Sequence, residues 1–483
     1  MKNILIRAGI SPLDNFDACY MLNHNSIGDN VGNLIYAYSV FKTLMTDSVE
    51  KITPNYYKSL QGKADEINEE YDAFIIPLAD AFRADFMPEM RKMTALIKEL
   101  KIPCVIVGVG LRAPFEPGDV MSYPFDEDIK EFIKAVLEKS SIVGVRGEYT
   151  SAYLKRLGFR EEIDHTVIGC PSMYTNGANI NIREGKLTKD SLLSMNASVL
   201  SPDNVHEFMR KCETQFPNHY FLPQRLQEMR LLYTGMPYYH KQDGSYPTKI
   251  TDEVYAKDRV KFFLNIPTWM DFLGKAEMSV GGRLHGNIVA TVSGTPSILI
   301  PHDARMRELT EYHHLTHVWA KDINENTNLL EIASKLDFQE VSRFHKKNFD
   351  HYVDFLDKNG LDHIYKNGND PKESPLERKI KELDLQAPIS SVRNCSFEEM
   401  AKRLYEICPP LEKKRDNLKS ENVKLKSKIS NLERDKKSIK MMNTRLKKEN
   451  KEMEAAKNEA EEKLQASSFL GVIKRVTNKT LKK

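Results

Sequence analysis

Short β-branched runs alternate with helix-period runs from the first residues of this 483-residue chain. Strand-like runs at 3–6, 73–77, 104–108 and 142–145 are separated by helical patterns at 31–45, 88–100, 125–139 and 149–157. Runs this short and this continuously apolar, set between amphipathic helices, predict parallel strands covered on both faces. The pattern breaks at Gly169-Cys170-Pro171-Ser172 and the polar stretch 175–189, which reads as a linker. It resumes with strand-like runs at 192–195, 219–222, 260–264, 278–281 and 297–300, and helical ones at 204–212, 267–275, 284–293 and 305–313. Two doubly wound halves facing each other across a cleft are the economical architecture, closed by helical segments around 325–357 and 372–408.

The composition, 41% apolar and 29% charged, is that of a globular protein with a charged excess somewhere. No apolar run approaches the ~20 residues a membrane-spanning helix needs. Met1 to Arg7 reads as a first buried strand rather than a signal peptide. The six cysteines (Cys19, Cys104, Cys170, Cys212, Cys395, Cys408) have no metal-type spacing, so a reducing cytoplasm is expected, without a disulfide framework. No cluster of His and carboxylates has ligand spacing, and no metal is expected.

Three segments carry chemistry. In Met278-Ser279-Val280-Gly281-Gly282-Arg283-Leu284-His285-Gly286 an apolar run ends in two glycines and a helix-like run follows at once. Glycines let the backbone approach a ligand, and a helix N-terminus offers unpaired N–H groups and a positive dipole end. Gly282, Leu284 and Gly286 would supply that cradle, Arg283 a fixed cation and His285 a titratable group. The bland alternative is an ordinary turn with a surface arginine and a packed histidine. In Val143-Gly144-Val145-Arg146-Gly147-Glu148, Arg146 emerges where a strand ends, the edge that faces the ligand crevice in open α/β sheets. It either points at the same anion as Arg283 or lies in solvent paired with Glu148. The third segment, Asn25-Ser26-Ile27-Gly28-Asp29-Asn30-Val31-Gly32-Asn33, precedes a helix. Asp29 or Asn30 either caps that helix or faces the cleft.

These segments are where the chain resembles the polysaccharide pyruvyl transferase family. The resemblance runs in order through NSIGD at 25–29, GVGLR at 108–112, VGVRGEYTSAYLKRLG at 143–158, GCPS at 169–172, GGRLHG at 281–286 and GTPSILI at 294–300. It covers roughly residues 1–320. It implies an α/β fold of two Rossmann-like domains in a GT-B-like arrangement and a cytoplasmic enzyme of cell-surface glycan biosynthesis. It also implies transfer of a pyruvyl group from phosphoenolpyruvate to a pair of sugar hydroxyls as a ketal, with no cofactor beyond that donor. Arg146 and Arg283 would bind the phosphate and carboxylate, His285 would act as the acid, and Asp29 would accept a sugar hydroxyl proton. Cys170 stands where the family often has an aspartate, and Arg305 is offered where a basic residue follows the last strand. Two alternatives remain: a GT-B glycosyltransferase, in which Glu308 holds a nucleotide ribose or is merely an exposed helix residue, and a non-catalytic scaffold.

The net charge of +3 conceals an asymmetry: residues 411–483 hold 22 Lys or Arg against 11 Asp or Glu. Leu411, Leu418, Leu425, Leu432, Ile439, Leu446, Met453 and Ala460 recur every seventh residue, with Arg415, Asn422, Ile429, Lys436, Asn443, Asn450 and Lys457 at the facing positions. This predicts a parallel two-stranded coiled coil over 411–464, about 80 Å long at ~1.5 Å per residue, or else a single solvated helix. The basic amphipathic end, 469–483, is expected either to rest on an anionic membrane surface or to fray. Nucleic acid is not an expected partner, because the body carries no matching module. The expected domains are 1–175, 176–408, 409–465 and 466–483.

Overall fold

A computed structural model of the chain describes residues 2–116, 118, 122–237 and 246–480, without the side chains of 469 and 472–480. Its contacts divide it into two units, Met1–Ile407 and Cys408–Lys483.

Among the described residues the first unit holds two sheets, in which every strand pairing is parallel. Seven strands form the first: β1 (Asn3–Ile6), β2 (Lys51–Pro54), β3 (Ala73–Ile76), β4 (Ala79–Phe82), β5 (Cys104–Leu111), β6 (Val143–Val145) and β7 (His165–Val167). Their order is β2-β1-β3-β5-β6-β7, with β4 also beside β5. The second is built from β8 (Leu193–Asn196), β9 (His219–Phe221), β10 (Met278–Gly281) and β11 (Ser297–Leu299), in the order β11-β10-β8-β9. Because all neighbours run the same way, the carboxyl ends of each sheet's strands share one edge. That edge carries the chemistry.

Local sequence explains these elements. The Ala-Phe-Ile-Ile and Cys-Val-Ile-Val-Gly-Val-Gly-Leu runs of β3 and β5 are buried at every position, as central parallel strands require. Helix Asp126–Leu137 turns Ile129, Phe132, Ile133 and Val136 inward. There they join Met90, Met93 and Ile97 of helix Met87–Glu99, with Phe74, Ile106 and Phe82 of the sheet. Each such side chain contributes roughly 1.5–3 kcal/mol on burial.

The run at 260–264 does not form the expected strand. Val260 makes a single bridge to Phe221 and Phe262 a single antiparallel bridge to Ile389, although both side chains are buried. Apolar runs of this length mark burial without fixing the conformation. Conversely β2, β4 and β7, three or four residues each, are too short to stand out as periodic segments. Residues 175–189 contain no helix or strand.

The last helix, Phe397–Thr480, begins within the first unit. There Ile407 is buried, and Arg403 lies 4.6 Å from the Tyr233 ring centre and donates to the Ser390 carbonyl at 3.0 Å. In the second unit the helix continues with Leu418, Leu425, Leu432, Ile439, Leu446 and Met453 all exposed. The side chains expected to touch a membrane at 469 and 472–483 lie outside the described residues. Among the described residues no helix is long and apolar enough to cross a membrane.

Candidate anion-binding site

The glycine-rich turn after β10 is shaped by close packing. Gly281 has φ +149°, and a Cβ there would sit 1.7 Å from the Asn196 carbonyl oxygen. Asn196 Oδ1 accepts from the Arg283 N–H at 2.8 Å and from Asn287 Nδ2 at 3.1 Å. Asn287 also donates to the Gly281 carbonyl at 2.9 Å, and its oxygen accepts from the Ser279 and Ser297 hydroxyls. This buried polar network fixes the turn and aims helix Leu284–Val292, whose first three N–H groups, on Leu284, His285 and Gly286, lie beyond reach of its own carbonyls. Gly282 precedes them, its α-carbon side facing the Ser201 hydroxyl and the His302 ring.

Arg146 follows β6 and is fully buried. Among the described residues no hydrogen-bond partner reaches its Nε, Nη1 or Nη2. Its guanidinium lies 4.6 Å from the centre of the Tyr36 ring, and the Tyr36 hydroxyl donates to carbonyls in the middle of β5, at 2.6 Å to Gly108. Burial pushes the Tyr36 phenol up to about 12, so the ring stays neutral beneath the cation. The solvent-side pairing of Arg146 with Glu148 does not occur. The Arg146 charge acts on the buried Glu308 carboxyl, but no ion pair joins the two among the described residues. Burying the cation so costs several kcal/mol, a cost an anionic ligand would offset.

His285 stands beside this cation, its ring centre 6.5 Å from that of Tyr36 and its Nε2 3.8 Å from the Cys170 sulfur. Burial, reinforced by the Arg146 and Arg305 cations, holds the imidazole well below its ordinary value, against a weaker pull from Asp80. It is therefore neutral. Cys170 is fully buried after β7; its N–H donates to His313 Nε2 at 2.8 Å and its thiol points to the Ser172 hydroxyl at 3.4 Å. Arg305 enters from the second sheet, past β11, with Asp303 at 3.3 Å and Asp80 at 3.6 Å and its Nε unpartnered among the described residues. Burial alone would raise the Asp80 carboxyl, but Arg305, Arg83 and Arg112 outweigh it and keep it ionised.

Arg283 is placed differently. Its Nε donates to the Ala197 carbonyl at 2.8 Å and its Nη2 faces the Glu228 carboxylate at 3.4 Å. Glu228, fully buried, also accepts from the N–H groups of Gln224 and Arg225 and from the Tyr246 hydroxyl. Asp29 is exposed, with φ +64°, and its carboxylate accepts from the Asn25 amide at 3.2 Å. It caps nothing; Asn30 Oδ1 instead takes the Gly32 N–H at 2.8 Å. The same turn meets the site at its far end, where a Cβ on Gly32 would sit 2.9 Å from the His285 ring. Glu308 is no exposed helix residue: it is buried and accepts from the Thr150 N–H and hydroxyl, both at 3.1 Å. Burial raises it to about 7, against those hydrogen bonds and Arg146.

Arg146, His285, Arg305 and the first turn of helix Leu284–Val292 thus meet, while Arg283 is tied back and Asp29 sits at the rim. Tyr36, Asp80, His313 and Glu228 are additions that no local motif announced.

A parallel α/β protein whose two sheets bring their carboxyl edges to one buried, cation-rich site is the class these features define. The family model for polysaccharide pyruvyl transferase matches residues 30–304, more than half of the chain, and the chain belongs to that family. It is also similar to solved structures at the level of fold. A Methanocaldococcus jannaschii UDP-GlcNAc 2-epimerase, in complex with UDP-GlcNAc and UDP, is 13% identical, with 74% of this chain and 99% of that one covered and a TM-score of 0.41. S. aureus MnaA with UDP is 13% identical (76% and 93%, TM-score 0.35). Acinetobacter baumannii MurG is 11% identical (74% and 100%, TM-score 0.32). No curated protein sequence matches the chain.

Proposed function

We propose that the protein transfers a pyruvyl group from phosphoenolpyruvate to two hydroxyls of a sugar in cell-surface glycan assembly, across a GT-B-like cleft between two Rossmann-like domains. The observation that carries this reading is Arg146, a fully buried guanidinium with no protein partner among the described residues. Phosphoenolpyruvate presents a phosphate and a carboxylate, and Arg binds such groups bidentately. Arg146 and Arg305 hold the two anionic groups, with the amides of Leu284, His285 and Gly286 as further donors and Gly282 giving close approach. Arg283 fixes the turn through Glu228 and adds to the positive field.

The donor's negative charge offsets the two arginines, so His285 gains a proton as the donor binds. It then protonates the methylene carbon while a sugar hydroxyl oxygen bonds to the neighbouring carbon and gives its proton to Asp29. The bond to phosphate then breaks and phosphate leaves; the second hydroxyl attacks the resulting oxocarbenium carbon and its proton returns to His285, closing the ketal. General acid catalysis of this kind contributes roughly 10²–10⁴-fold. No other cofactor or metal enters the scheme.

The tail serves the same reading: residues 411–464 pair two copies of the chain in parallel, and 469–483 rests on the anionic inner face of a membrane beside glycan assembly. Calorimetric titration with phosphoenolpyruvate, with UDP and UDP-sugars as controls, tests the donor. Saturable binding that Arg146→Ala removes supports the proposal; uptake of nucleotide sugar alone, or of no donor, overturns it.

A further inference from the structure

The turn that follows β2 is built against its own residues. Lys58 N–H donates to the Asn55 carbonyl at 2.9 Å, closing a four-residue turn whose central residues, Tyr56 and Tyr57, both have φ +52°. Two successive left-handed residues are the type I′ pattern, a turn that favours Asn and Gly because side chains with a bulky Cβ branch crowd the backbone there. Strain of this sort persists where the surroundings over-determine it, characteristically at ligand sites. Here the surroundings do. Asn55 Oδ1 accepts from the Ala8 N–H beyond β1. The Tyr57 ring packs over Gly9 and Gly28, where a Cβ would come within 2.5 and 2.9 Å of it, and lies 5.2 Å from the Arg7 guanidinium. Yet both tyrosines remain 37% exposed.

The patch extends further. Burial pushes the Tyr56 phenol up, and the nearby Asp14 carboxylate adds to the effect, with Tyr20 a further neighbour. Tyr20 is the middle of a stacked ladder, with Phe16 at 3.9 Å and His24 at 4.0 Å between ring centres. A cavity beside the same turn has Arg7, Asn55, Lys58, Gln61 and Glu89 on its polar side and Leu60, Phe74, Met93 and Leu96 on its apolar side. Aromatic faces flanked by such hydrogen-bonding groups match the chemistry of a sugar ring, which has apolar C–H faces and a hydroxyl rim.

Position gives the patch its use. Asn55 and Arg7 follow β2 and β1 at the same carboxyl edge from which Arg146 emerges after β6. Four strand spacings separate β2 from β6, ~19 Å at the usual interstrand distance. The turn 25–33 bridges this span: Gly28 touches Tyr57, Gly32 touches His285, and exposed Asp29 lies between. A single monosaccharide at the donor cannot reach Tyr57; a chain of sugars can.

We infer that Tyr56 and Tyr57 form a distal carbohydrate subsite, which stacks a sugar ring of an oligosaccharide acceptor whose other end lies at Asp29 and His285. This rests on the pyruvyl-transfer reading for its orientation. The test presents the full chain, with phosphoenolpyruvate present, to arrayed mono- and oligosaccharides of glucose, galactose, mannose and their N-acetyl amines. The chain is expected to be retained by an oligosaccharide and not by its component monosaccharides. Tyr56→Gly, which suits the positive φ, is expected to lower retention tenfold or more, Tyr56→Phe to keep it, and Tyr57→Asn to lower it alongside. Retention unaltered by Tyr56→Gly and Tyr57→Asn, equal retention by monosaccharides, or no retention of the wild type would each overturn the subsite. Loss of phosphoenolpyruvate binding in calorimetry would overturn the transfer reading instead, so the two failures are told apart.

Discussion

Arg146 and Arg283 occupy the same place in two copies of one local pattern, a short buried strand, an arginine and the start of a helix, yet they meet opposite fates. Arg283 finds a carboxylate already held by two backbone amides and a tyrosine, and it becomes a strut. Arg146 finds the face of Tyr36 and, without a hydrogen bond among the described residues, the charge of Glu308. The motif alone therefore does not say which cation is left for a ligand. The carboxylates packed around it do, and they come from elsewhere in the chain.

The comparison breaks most readily on substitution. His285→Asn, on the ligand side of the division, is expected to lower kcat by roughly 10²–10⁴-fold while phosphoenolpyruvate affinity changes little. Calorimetry in buffers of different ionisation enthalpy should show proton uptake by the wild type at neutral pH, absent in the variant. Equal loss of affinity and rate would remove His285 from the acid role. Arg283→Ala leaves the Glu228 charge buried and unpaired and is expected to cost about 3–5 kcal/mol in denaturant unfolding. Arg146→Ala removes a buried cation that has no hydrogen-bond partner among the described residues, so stability should hold or rise while phosphoenolpyruvate affinity falls by roughly 10²–10⁴-fold, the measure of two charge-assisted hydrogen bonds. Similar destabilisation in both variants would erase the distinction.

What was legible in the sequence was local. The runs at β3, β5 and β10 could be read because parallel central strands are apolar throughout, and the 281–286 turn because glycines mark close approach. The pairings that assign roles were not legible. Tyr36 lies under Arg146 only after a helix on one side of β5 meets the end of β6, and no spacing encodes that meeting. Glu228 sits in helix Leu226–Thr234, an element the pattern reading passed over, so Arg283 looked like a free cation. Cys170 was noticed as a departure from the family pattern, but its contact with His285 depends on two strand ends from different sheets. The strand expected at 260–264 failed for the complementary reason: burial was read correctly and conformation was not.

Glu308 sharpens the division through pH. Its folded value, about 7, lies above the unfolded 4.5, so between those limits the folded chain holds more protons and loses stability as pH rises. The full difference is about 3 kcal/mol, complete above neutrality. His285 and His313, both held well below their ordinary value, act with the opposite sign, favouring the folded state as pH rises toward 6.5. Unfolding of Glu308→Gln and wild type across pH 4.5–8 isolates the first contribution. The variant should gain on the wild type with rising pH, and parallel curves would mean that Glu308 stays charged in the fold.

The smallest expected effect concerns the strained turn. If Tyr56 is kept for a ligand rather than for the fold, relieving its backbone should stabilise the protein. Glycine at φ +52° avoids the left-handed penalty of roughly 1–2 kcal/mol but gives back part of it as chain entropy. Tyr56→Gly should therefore raise stability by about 1 kcal/mol or less, read as a small increase in Tm, while it weakens glycan retention. Such a gain would place Tyr56 with Arg146, among groups the fold tolerates at a cost. A loss would place it with Arg283 as a strut, its packing and its place under Lys58 worth more to the folded chain than its strain.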